Sequence, residues 1–162
     1  MVILWDASGL AKRYTQESGS ATVNAIFSAS TAPNMFLTAW GYAETYSILL
    51  RKYNGGILNL RAFQTATNAL RTEIMGMPGM DILSISDTVV FGSLSLMQAH
   101  NINSADAAIL ATYLKFQRRS EERCFLLASD KRLLRSAEAE GLPNLNPEEI
   151  GAGDTLRMLS KL

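Results

Sequence analysis

Two short apolar runs, each closed by an aspartate, constrain this chain more than any other feature. Val2-Ile3-Leu4-Trp5 runs into Asp6, and Cys124-Phe125-Leu126-Leu127-Ala128-Ser129 runs into Asp130. Runs this short lack the length of a helix, and their unbroken apolarity suits strands buried on both faces. Met35-Phe36-Leu37 and Asp81-Ile82-Leu83-Ser84-Ile85 read as two further strands, and 143–146 as a short last one.

Helical stretches separate them. Ser8 can cap a short helix through Tyr14, and Ser18 to Ser20 open a second one with Ala21, Val23, Ile26 and Phe27 on a broken apolar face. Thr38 caps a helix over 39–53, which Asn54-Gly55-Gly56 stops. Apolar spacing predicts further helices over 57–75, 88–100, 104–116 and 131–140. Turns are expected at Ala32-Pro33-Asn34 and at Gly76-Met77-Pro78-Gly79. Strands alternating with one or two helices favour an α/β fold with a central parallel sheet and helices on both faces. The expected organisation is one domain over 1–147 and a C-terminal tail over 148–162.

Composition narrows the classes. The chain has 162 residues, 48% of them hydrophobic, so one domain can bury a core and disorder is disfavoured. Its 15 basic and 15 acidic residues cancel, which removes any global electrostatic case for nucleic acid and leaves only local patches. Cys124 is the single cysteine, so no intrachain disulfide can form and a reducing compartment fits. No signal peptide and no apolar stretch of membrane-spanning length is seen, and the expectation is a cytoplasmic protein with no membrane role.

Chemistry concentrates in four acids. Asp6 and Asp130 end strands, Asp106 lies in the first turn of a helix, and Glu44 interrupts an apolar helix face between Trp40 and Ile48. Strand ends and the helix starts beside them share one crevice in an open α/β sheet, so these carboxylates can converge there. Each also has a plainer explanation. Asp6 and Asp130 can cap helices, Asp106 suits the helix dipole, and Glu44 can reach solvent from an edge. Only their joint placement argues for a site.

In these segments the chain resembles PIN-domain proteins, especially the small VapBC-type toxins of bacteria and archaea. The matching stretches are Ile3 to Tyr14, Ala43-Glu44, Ser104 to Thr112, and Leu126 to Leu133, in the family's order and nearly across the whole chain. The resemblance implies a Mg²⁺- or Mn²⁺-dependent endoribonuclease, with Asp6, Glu44, Asp106 and Asp130 as catalytic and metal-holding residues. It gives Ser8 a supporting role. Many relatives carry a hydroxyl two residues before the last acid. Here that position is Ala128, and Ser129 offers the hydroxyl instead. The expected partners are an RNA substrate, a cognate antitoxin covering the crevice, and a second copy in a homodimer packed through Ile26, Phe27, Leu60 and Phe63. The alternative is a PIN-like RNA-binding or protein-interaction module with little or no catalysis.

Mg²⁺ prefers oxygen ligands and keeps several waters, so carboxylates together with substrate phosphates suit it. No histidine base is then needed, and the single His100 reads as a helix-end residue. Lys12, Arg13, Lys131 and Arg132 flank two of the acids and are candidate RNA contacts, although paired charges are usually a solvated face. Arg51 and Lys52 are expected farther from the site. Tyr14, Trp40, Tyr42 and Tyr46 could stack bases, but the apolar neighbours of Trp40 favour a place in the core. There is no phosphate-binding glycine loop and no serine–histidine pair for a triad.

Overall fold

The computed structural model describes residues 1–30, 34–76, 79–154 and 157. Five parallel strands form one sheet in the order β3-β2-β1-β4-β5. They are β1 (Val2–Trp5), β2 (Met35–Thr38), β3 (Asp81–Leu83), β4 (Cys124–Leu127) and β5 (Asn144–Leu145). β1 lies in the centre, where Leu4 pairs with Phe36 of β2 and with Leu126 of β4.

Strand alternation builds a core on each face. Val2, Leu4, Cys124 and Leu126 point to one side, against α6 (Leu94–His100), α7 (Ser104–Gln117) and α8 (Lys131–Ala139). Ile3, Trp5 and Leu127 point to the other, against α2 (Ser20–Ala29), α3 (Ala39–Asn54) and α4 (Leu60–Met75). All four residues of β1 are buried, which explains why its sequence shows no polar alternation. The parallel sheet with helices on both faces is the fold expected.

Connectivity then places the chain ends of interest. β1 leads to β2 on one side, and β4 pairs with β1 on the other, so a switch point lies between β1 and β4. α7 delivers the chain to the start of β4 and therefore begins at the C-terminal edge of the sheet. Two short helices carry the chain there from β3: α5 (Asp87–Gly92) and α6. The single helix expected over 88–100 is broken at Ser93. That residue is fully buried, and its Oγ donates to the Val90 carbonyl at 2.7 Å.

Two further expectations need correction. Residues 148–150 are no free tail. Lys12 is 5% exposed and its Nζ lies 2.6 Å from Glu148 Oε1, while Thr22 Oγ1 donates to the Ile150 carbonyl at 2.9 Å. Gly19 has φ +85° and sits against the Pro147 carbonyl, where a Cβ would come within 3.0 Å of backbone. The rest of the expected tail, apart from 151–154 and 157, lies outside the described residues, as do Ala32, Pro33, Met77 and Pro78 of the expected turns.

The expected dimer face also breaks up. Ile26 is buried, Phe27 packs edge-on against Trp5, and Phe63 stacks on Tyr53. Leu60 alone of the four is well exposed, at 54%. Among the described residues, no helix is long and apolar enough to cross a membrane.

Candidate functional site

A cleft of about 530 Å³ opens at the C-terminal edge of the sheet, and Asp6, Glu44, Asp106 and Asp130 all line it. Each arrives from a different element. Asp6 follows β1 and caps α1 (Ala7–Leu10), a helix continued by a 3-10 turn over Ala11–Arg13. Asp130 follows the β4 strand and caps α8. Asp106 stands in the first turn of α7, and Glu44 projects from α3.

Capping and convergence therefore coexist. Asp6 uses Oδ2, which accepts from the Ser8 amide at 2.9 Å and the Ser8 hydroxyl at 2.5 Å. Asp130 uses Oδ1, which accepts from the Arg132 and Leu133 amides at 2.8 and 3.0 Å. Each cap loads one carboxylate oxygen.

Ser8 ties the two strand ends together. Its Oγ accepts the backbone N–H groups of Ser129, at 2.9 Å, and Asp130, at 3.2 Å, while donating to Asp6. Ser129 contributes this amide and not its hydroxyl, which is buried without a partner among the described residues and lies off the cleft. Ala128 is fully buried beneath. Gly9 lets α1 approach: a Cβ there would fall 2.8 Å from the Leu127 carbonyl oxygen. That same carbonyl accepts the Asp6 amide at 3.0 Å. Below the site, the buried Tyr113 hydroxyl donates to the Trp5 carbonyl at 2.5 Å.

Electrostatics record the crowding. Burial, then the charges of Asp6 and Asp106, push the Glu44 carboxyl up to about 7. Burial, then Asp6 and Asp130, push Asp106 up to about 6, outweighing the hydrogen bond from Asn103. Asp6 is also raised, chiefly by burial, against the opposing bonds from Ser8. Carboxylates that resist losing their protons are ones that would welcome a cation.

A hard divalent ion fits the donor chemistry, since the cleft offers carboxylate oxygens from four elements. Among the described residues no three acid, histidine or cysteine side chains are drawn together into a ready ligand shell. Mg²⁺ does not require one, because it commonly takes one or two carboxylates directly and keeps its waters.

The cations fall differently from expectation. Lys12 is committed to Glu148, and Arg13 to Glu73 at 2.9 Å, to Asn24, and to the face of Phe27. Lys12 is buried in its pair, and Arg13 is half-buried in its own, so neither lines the acid cleft. Lys131 is exposed but lines a neighbouring groove beside Glu149. Arg132 is exposed and its charge acts on Asp106. Arg51, expected farther off, lines the cleft, with its Nη1 donating to Ser47 Oγ at 2.9 Å. Trp40, expected in the core, is 56% exposed on the cleft wall. The reason is helix phase. α3 buries Gly41, Thr45 and Leu49, four residues apart, and Trp40 lies one residue off that face. The spacing Trp40, Glu44, Ile48, Arg51 was the signal that could have found both residues.

No family model matches the sequence, and no curated protein matches it. Solved structures do. VapC20 of Mycobacterium tuberculosis, a sarcin-ricin loop cleaving toxin, superposes with a TM-score of 0.63 at 16% identity, over 90% of this chain and 99% of that one. FitAcB from Neisseria gonorrhoeae gives 0.63 at 18% identity, over 92% and 100%. A toxin–antitoxin complex from Klebsiella pneumoniae gives 0.57 at 19%, over 91% and 99%. At these identities the likeness concerns the fold.

Proposed function

We propose that this chain, which has the fold of the PIN-domain toxins it resembles, is a metal-dependent endoribonuclease and the toxin of a toxin–antitoxin pair. The observation that carries the reading is the meeting of Asp6, Glu44, Asp106 and Asp130 in one cleft at the switch point of the sheet. The raised Glu44 and Asp106 carboxyls support it, because they reflect burial and, after it, mutual repulsion that a bound cation would relieve.

The four acids would hold Mg²⁺ or Mn²⁺, with Asp6 the deepest of them at 6% exposure. Such an ion lowers the pKa of water and stabilises developing charge on phosphate oxygens. The chain's own residues orient the carboxylates. Ser8 fixes Asp6 relative to the Asp130 loop, Asn103 holds Asp106 by a 2.8 Å bond to its Oδ2, and the Thr38 cap sets the start of the Glu44 helix. Arg132 and Arg51 supply positive charge at the rim.

The toxin role draws support from VapC20 and from the Klebsiella complex, and it adds an antitoxin and a second copy as partners. Exposed Leu50, Ile57 and Leu60 on one side, and Val90, Phe91 and Leu94 on another, offer apolar surface for them. Light scattering at tens of micromolar protein checks the homodimer.

A mixed panel of RNAs tests the activity. Cleavage is expected in Mg²⁺ or Mn²⁺ and not in EDTA. Cleavage undiminished in EDTA contradicts the metal mechanism, and RNA binding without cleavage in any metal returns the chain to the binding-module alternative.

A further inference from the structure

We propose that Trp40 is a stacking platform for an unpaired base, so that the α3 wall of the cleft reads single-stranded RNA, an inference that rests on the nuclease reading above. The chain has two tryptophans of opposite character. Trp5 is fully buried and Trp40 is 56% exposed. Tryptophan is a highly buried residue on average, and one left in water on a cleft wall leaves a large aromatic surface for a ligand. Among the described residues Trp40 makes no ring contact with another aromatic or a cation.

Its position along α3 gives the platform a direction. Trp40, Glu44, Ser47, Ile48 and Arg51 occupy one stripe of the helix, and all of them line the cleft. At the rise of an α-helix, Glu44 lies about 6 Å along the axis from Trp40, and Arg51 about 10 Å beyond Glu44. An aromatic face, an acid facing the other three acids, and a cation thus follow one another along a single wall. A strand laid along it sets a base on Trp40, its scissile phosphate over the acids, and a flanking phosphate at Arg51, which Ser47 already steadies.

The surroundings favour nucleic acid over a protein partner. Protein hot-spot tryptophans are ringed by contacts that exclude water. Trp40 instead shares its wall with Ala43 and Ile48 and with three polar side chains, Glu44, Ser47 and Arg51, a mixed lining that suits a planar base with phosphates on either side. Stacking on one ring requires a base free of its duplex, and proteins read RNA bases chiefly in such single-stranded segments.

The test compares the unaltered protein with Trp40→Ala and Trp40→Phe on one single-stranded oligoribonucleotide and on its duplex. In Mn²⁺, Trp40→Ala should raise KM for the single strand by about 10- to 100-fold with little change in kcat, as loss of a stacked base implies. Trp40→Phe should restore most of it. In Ca²⁺, whose longer and looser coordination should support cleavage poorly, the single strand should quench tryptophan emission of the unaltered protein and not of Trp40→Phe, whose remaining Trp5 is buried. The duplex should quench neither. An unchanged KM in a cleaving Trp40→Ala protein overturns the platform and leaves the nuclease standing. Quenching without cleavage by any of the three proteins overturns the nuclease and leaves the platform. Equal quenching by duplex overturns the single-strand preference. Emission that changes with protein concentration alone, with a rise in mass, assigns Trp40 to an interface between copies and overturns the proposal.

Discussion

Asp6 and Asp130 show how one carboxylate can serve two purposes. Each caps a helix with one oxygen, so a capping role in the sequence was no evidence against a site. Ser8 joins them, and its hydroxyl is the acceptor for two backbone amides. Ser8→Ala strands both donors, and the expected loss is about 1–3 kcal/mol, read as a lower urea midpoint at unchanged slope. Glu44 gives a pH prediction. Its carboxyl titrates near 4.5 unfolded and is raised to about 7 when folded. Between those values the native state holds more protons than the unfolded chain, so metal-free stability should fall as pH rises and level off above about 7. Glu44→Gln removes that fall. Thermal melts in EDTA should show the variant above the parent at pH 8 and level with it at pH 4. Asp6, Asp106 and Asp130 could be picked out from their places at strand ends and a helix start, and Glu44 from its interruption of an apolar helix face. The rim could not: whether Trp40 faces the core or the cleft depends on helix phase, and Lys12 was lost to an ion pair with a residue 136 positions away.

Among the elements, the central strands were the most legible, because burial on both faces leaves β1 wholly apolar and β4 nearly as buried. The break between α5 and α6 was not legible. Ser93 makes it with a local bond to Val90, and the apolar spacing on either side runs on through it. α1 carries the element-scale prediction. Gly9→Ala would ordinarily help an α-helix by about 0.5–1 kcal/mol. Here the added Cβ meets the Leu127 carbonyl oxygen at 2.8 Å, and backbone cannot turn aside as a flexible side chain can. The expected sign is therefore reversed, with a loss of about 1–3 kcal/mol by denaturant titration. Cleavage should fall with it, since the same shift moves Asp6 away from Asp130. A stabilised Gly9→Ala protein would mean that α1 and β4 are less tightly joined.

Over the whole molecule, the parallel sheet brings together residues from positions 6 to 130, and its switch point gives them a common crevice. Residues 147–150 belong to that body. Glu148 pairs with the buried Lys12, so Glu148→Ala should cost about 1–3 kcal/mol, less than a fully buried pair because Glu148 is partly in water. Nothing in the local sequence marks 148–150 as packed, because the partners Lys12 and Thr22 are distant in the chain. The most direct test of four carboxylates acting as one metal-holding site is the melting temperature of Asp106→Asn beside the parent, in EDTA and in excess Mn²⁺. Convergence predicts that the variant melts higher in EDTA at pH 8, because a half-buried charge repelled by its neighbours is gone, and that the parent gains more from Mn²⁺. If Asp106 only favours the first turn of α7, the variant should melt lower in EDTA, by the equivalent of about 0.3–1 kcal/mol, with the same gain from Mn²⁺ in both proteins. That second pattern would contradict the metal site.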